Sequence, residues 1–136
     1  MNVVAERLTV AEWLERYRAA WEHADDGSSI EELFTEEASY RSSPFRSPHL
    51  GHEGIRAYWR TATRTQGDVQ VSMGRPVVDG DRVVVEWWAT LSDEEHEYTL
   101  PGALVLRFDD DGRVADLREY WHLEPGTREP HDGWGR

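Results

Sequence analysis

Residues 106–121 read LRFDDDGRVADLREYW. Leu106, Arg107 and Phe108 end one extended run, Asp109 to Gly112 supply the turn chemistry, and Arg113 onward alternates again through Leu117, Glu119 and Trp121, so the stretch is a β-hairpin. An Asp-rich tip also invites a calcium reading, but the glutamate that closes such a loop is not at its spacing. Working outward, Val69 to Val78, Arg82 to Leu91, Glu97 to Phe108 and Arg113 to Leu123 read as four long strands rich in β-branched and aromatic residues. Asp79-Gly80 marks a second hairpin turn, which makes this half of the sheet a meander.

Upstream the period changes. Thr9-Val10-Ala11-Glu12 is a capping box, and Trp13, Leu14, Tyr17, Ala20 and Trp21 form one apolar stripe at helical spacing, predicting a helix that ends near His23. Asp25, Asp26 and Gly27 break it, Ser28 or Ser29 recaps, and Ile30, Leu33 and Phe34 make a short second helix. Ala38 to Arg41 reads as extended, Ser42 to Gly51 as a Pro- and Ser-rich loop, and His52 to Thr63 as a third helix carrying Ile55, Tyr58, Trp59 and Ala62. Three N-terminal helices that precede a strongly bent, mainly antiparallel sheet give an α+β layout with the helices on one face.

The chain has 136 residues, enough for one domain with its own core. The expected division is a domain over 1–124 and a loose tail over 125–136, in which Trp134 is the one anchor. With 27 acidic against 15 basic residues and a formal net charge of −12, the surface repels phosphate backbones and anionic lipid, so neither nucleic acid nor membrane is an expected partner. There is no cysteine, hence no disulfide framework, thiolate metal site or thiol nucleophile. Glu6 and Arg7 stand where a signal peptide needs an apolar run, and no stretch approaches the length of a membrane span, so the expected location is the cytoplasm.

The hairpin run LRFDDDGRVADLREYW, together with ERYRAAW in the first helix and EEASYRSSPF in the first strand, resembles the SnoaL-like polyketide cyclases and ketosteroid isomerases of the nuclear transport factor two-like superfamily. The resemblance spans about Val10 to Leu123 and implies a cone-shaped α+β domain around a pocket for a small, largely apolar molecule. Fold does not dictate chemistry in such a family. The isomerase pattern needs a tyrosine, matched by Tyr17, and two carboxylates, whose positions fall on Ser42 (or Ser43) and on Leu104. Steroid-type isomerisation by that mechanism is therefore not expected.

The same resemblance assigns faces, and strand alternation extends them. Val85, Trp87 and Ala89, Leu100, Gly102 and Leu104, and Leu117, Glu119 and Trp121 point inward. With Tyr17, Trp21, Ser42, Phe45 and Tyr58 they describe an aromatic pocket, against the plainer reading that the rings are simply packed core. Glu119 is the one inward carboxylate. Burial would raise its pKa into the range of an acid or base, unless an arginine such as Arg107 or Arg41 pairs with it. His49 and His52 sit in the loop at the pocket mouth, as proton shuttles or as solvated loop histidines. Their spacing with Glu53 does not suit zinc, so no metal or other cofactor is expected. Trp88 lies on the opposite face from Trp87 and needs a cover, either a second copy in a homodimer or the chain's own tail. Two functions remain open: a cofactor-independent cyclase, isomerase or dehydratase using Tyr17 and Glu119, or a non-catalytic ligand-binding or dimerisation module.

Overall fold

A computed structural model describes residues 7–23 and 27–136; the helix breakers Asp25 and Asp26, like the Glu6 that bears on export, lie outside the described residues. Helix α1 spans Val10–Glu22, and its capping box forms as read: the Thr9 hydroxyl accepts from the Glu12 amide and the Glu12 carboxylate from the Thr9 amide. Its stripe of Trp13, Leu14, Tyr17, Ala20 and Trp21 is buried. Helix α2 is one turn, Ile30–Leu33, after which the chain enters strand β1, Phe34–Arg41. Phe34 thus opens the strand rather than closing the helix. Strand β2 is only His49–Leu50, and helix α3 covers Gly51–Thr63.

The remaining strands are β3 (Gln66–Met73), β4 (Val77–Asp79), β5 (Arg82–Asp93), β6 (His96–Phe108), β7 (Val114–Trp121) and β8 (Glu124–Pro125). The expected strand from Val69 to Val78 is two strands. Pro76 has no amide to donate, and Gly74-Arg75-Pro76 separates β3 and β4 while both pair with β5. Strands β5 and β6 form the long central hairpin, from Arg82 opposite Arg107 to Asp93 opposite His96. Its tip puts Glu94 (φ 49°) and Glu95 (φ 71°) in the left-handed region, a turn the sequence does not advertise because neither residue is glycine or asparagine.

The sheet order is β2-β1-β7-β6-β5-β3, open at both ends and mixed, because β1 runs parallel to β7. The expectation that three helices precede the sheet is corrected: three helices occur among the described residues, but α3 follows β1 and β2. No helix among them is long and apolar enough to cross a membrane.

The tail is not loose. Strand β8 pairs with β6, the Thr99 hydroxyl donates to the Gly126 carbonyl (2.7 Å), and the Arg75 amide donates to the Gly135 carbonyl (2.7 Å). Trp88 donates its indole N–H to the Arg128 carbonyl (2.9 Å) and meets Trp134 edge-on at 6.0 Å. The chain's own tail therefore covers part of this outer-face ring, which remains half-buried.

Candidate functional site

Three elements bring three oxygens together. Parallel pairing sets Tyr40 of β1 opposite Leu117 of β7, which places Tyr40 on the same sheet face as Glu119, two residues on. Helix α1 crosses that face and delivers Tyr17 from the middle of its apolar stripe. Tyr17 donates to Glu119 Oε1 at 2.9 Å, Tyr40 makes a short hydrogen bond to the same oxygen, and the two phenol oxygens stand 3.0 Å apart. These three contacts close a triangle. Both phenols donate to Oε1, so each hydroxyl proton is spent there and the contact between the two phenol oxygens is a close approach without a hydrogen of its own.

Glu119 is buried (8% exposed), and burial pushes its pKa up to about 7, against the opposing pull of the Tyr40 and Tyr17 hydrogen bonds. Burial, then the Glu119 charge, holds Tyr17 and Tyr40 well above the ordinary phenol range. Tyr58 is raised for the same two reasons, with Ser42 beside it pulling back. The arginine partnership open in the sequence does not form: among the described residues Glu119 has no ion pair, Arg107 faces Asp116 across the strands, and Arg41 donates to the Arg46 carbonyl. No hydrogen bond to Oε2 is made among those residues either.

A cavity of about 240 Å³ opens beside this triangle. Of the residues expected in a pocket, Tyr17, Trp21, Tyr58, Trp87, Leu100, Glu119 and Trp121 line it. Val85, Ala89, Gly102 and Leu117 do not, and neither do three others. Phe45 is 95% exposed on the loop after β1, and Leu104, though opposite Glu119 in the ladder, is fully buried in the core behind the wall. Ser42 is buried and acts through its carbonyl, which accepts the Trp121 indole N–H at 2.8 Å. His49 stacks on Tyr58 (4.3 Å between ring centres) and His52 bonds the Phe34 carbonyl; neither lines the cavity.

Two ring-bearing wall residues were not anticipated. Tyr40 shares its strand face with Ala38 and Ser42 by simple alternation, a signal present in EEASYRS. Trp59 lies one turn past Ile55 on the buried face of α3. Among the described residues no group of His, Asp or Glu is placed to hold a metal ion.

No curated protein matches this sequence. Solved structures do. The epoxide hydrolase/cyclase-like enzyme SalBIII of pyran ring formation in polyether salinomycin is 19% identical, with a TM-score of 0.71 over 82% of this chain and 89% of its own. An LEH-like epoxide hydrolase of M. tuberculosis is 21% identical (TM-score 0.67, 81% and 80% covered), and a putative SnoaL-like polyketide cyclase from Jannaschia sp. CCS1 is 16% identical (TM-score 0.72, 86% and 91% covered). At such identities the likeness is one of fold. The family model of the SnoaL-like domain matches residues 14–117, most of the chain, ending two residues before Glu119; the chain belongs to the SnoaL-like domain family.

Proposed function

We propose that this protein is a cofactor-independent acid–base enzyme that moves a proton on a small, largely apolar molecule bound in the aromatic cavity. One observation carries the reading: a buried carboxyl with no cationic partner among the described residues stands on the wall of an open cavity, its pKa near neutrality. A group that is half protonated near pH 7 serves as either proton donor or acceptor. Oε1 is committed to the two phenols, so Oε2 is the oxygen left for the ligand. Tyr17 and Tyr40 orient the carboxyl and take up the change in charge as its proton leaves or returns.

Proton transfer of this kind suits ring closure, double-bond migration or loss of water. The cyclase and epoxide hydrolase assignments of the fold neighbours are compatible with it, although a shared fold does not transfer a reaction. Steroid-type double-bond migration is outside the reading, because Ser42 and Leu104 stand where that mechanism needs carboxylates.

The test is a panel of small epoxides, hydroxy-epoxides and enones incubated with the wild type and Glu119→Gln, with product formation followed by chromatography. Turnover should fall by about 10²- to 10⁴-fold in the variant while ligand binding, read by tryptophan quenching, persists. Undiminished turnover by Glu119→Gln contradicts the proposal. A second reading, a binding module without turnover, draws on the replacement of two family carboxylates by Ser42 and Leu104. It predicts binding by both proteins and product from neither.

A further inference from the structure

The wall around Glu119 has an unusual polar balance. Four indoles face the cavity, and none offers it a free N–H: Trp21 donates to Gln66 Oε1, Trp121 to the Ser42 carbonyl, and the Nε1 atoms of Trp59 and Trp87 are enclosed without a partner. The rings therefore present carbon. Tyr17 and Tyr40 are engaged with Glu119, and among the described residues no Lys, Arg or His lines the cavity. The lining they form has one ionisable carboxyl, aromatic surface, and no positive charge to neutralise that carboxyl when it ionises.

We infer that the cavity takes a small organic cation, a tertiary or quaternary alkylammonium group, held among the aromatic rings with ionised Glu119 as its counter-ion. Ring faces attract a cation through their quadrupole, and an alkylated ammonium is weakly hydrated, so little is lost when it leaves water. A buried carboxylate is costly alone and favourable with a charge partner, which the ligand supplies. The net charge of −12 draws cations toward the protein. A volume near 240 Å³, below the usual range for drug-sized ligands, restricts the site to small ones.

The proton balance is explicit. When a quaternary ion enters, the Glu119 O–H bond breaks and its proton leaves to solvent. When a neutral tertiary amine enters, the same O–H breaks, an N–H bond forms, and the proton stays on the ligand. The titratable groups facing Glu119 are Tyr17 from α1, Tyr40 from β1 and Tyr58 from α3, all raised by burial and so neutral at ordinary pH. His49 of β2, behind Tyr58, is held below the usual imidazole range by burial.

This inference rests on the preceding reading only in taking the cavity as the ligand site, and its test does not depend on turnover. Choline and its neutral carbon isostere 3,3-dimethylbutan-1-ol are titrated calorimetrically into the wild type, Glu119→Gln and His49→Asn at about pH 8.5 and about pH 6.0. At the higher pH the wild type should bind choline at least about tenfold more tightly than the alcohol. At the lower pH choline affinity should fall about tenfold, following the ionised fraction of a group with its midpoint near 7, with proton release seen as a buffer-dependent heat near neutrality. Glu119→Gln should erase both the preference and the pH dependence, and His49→Asn should keep both.

Equal or tighter binding of the alcohol, no choline binding, pH-independent choline binding, or loss of the pH dependence in His49→Asn would each overturn the inference. The pH dependence of the wild type stands as evidence even if Glu119→Gln folds poorly. Glu119-dependent turnover without choline preference removes the cation and leaves the acid–base reading; choline preference without turnover does the reverse.

Discussion

Trp13 and Trp21 lie two turns apart on one stripe of helix α1, and their surroundings differ completely. Around Trp13 the interior is solid: the ring is fully buried, stacks on Tyr17, takes Phe34 and Phe108 edge-on, and donates its N–H to the Leu33 carbonyl at 2.8 Å. Around Trp21 the rings border a cavity, with Trp87 edge-on at 5.2 Å and Gln66 taking the indole proton. The strand residues opposite make the difference. Near Trp13 they are bulky and apolar; near Trp21 they include Gly102, on which Trp87 lies flat, and Glu119, over which apolar rings cannot close without stranding a polar group. One helix stripe thus serves packing at one end and a site at the other.

Breaking the solid end should have the largest effect. Trp13→Ala removes a fully enclosed ring and should cost about 3–5 kcal/mol, read as a fall in the urea midpoint. A loss under about 1 kcal/mol would mean that this end is not the packed core described.

The next effect separates the ends by pH. The folded-state pKa of Glu119, about 7, lies above the ordinary 4.5, so the folded chain holds this proton more tightly than the unfolded one. Its stabilisation is fully present below about pH 4.5 and is lost as pH rises through about 7, a change of about 3 kcal/mol. Stability of the wild type relative to Glu119→Gln should fall across that window, whereas relative to Trp13→Ala it should not. A flat wild-type-minus-Gln difference in urea unfolding would contradict the burial of this carboxyl.

Gly102→Ala sharpens the comparison from the strand side. A Cβ there would meet the Trp87 ring at 2.4 Å, so the ring must swing toward the cavity, at about 1–3 kcal/mol and with weakened ligand binding. Full retention of both stability and binding would show that the ring does not define the wall. Smallest is Trp121→Ala: the ring is 47% exposed, so stability should change by under about 1 kcal/mol even as binding weakens. A large stability loss would make Trp121 part of the core instead.

Much of this was legible beforehand, for physical reasons that can be named. The capping box at Thr9, the stripe through Trp21 and the turns at Asp79-Gly80 and Asp109 to Gly112 are local signals, and each formed as read. Glu119 was legible because the family resemblance set the inward face and alternation through Leu117 and Trp121 carried it along the strand. Phe45 was not, because alternation says nothing once a strand ends, and the loop turns that ring to solvent. The tail's route was equally hidden. It is held by partners such as Thr99, Trp88 and Glu86 that lie far away in sequence, which composition cannot show.

The central claim is that Glu119 is a buried carboxyl with no cation beside it among the described residues, poised near neutrality. Carbon-13 NMR of protein labelled at glutamate Cδ, with Glu119→Gln assigning the resonance, follows its ionisation directly. A midpoint near pH 7 is the predicted result, rising in Tyr17→Phe as a hydrogen bond to the charged form is lost. A midpoint near the ordinary 4.5 would contradict the account, since it would require solvent or a cation where the structure places aromatic rings and two phenols.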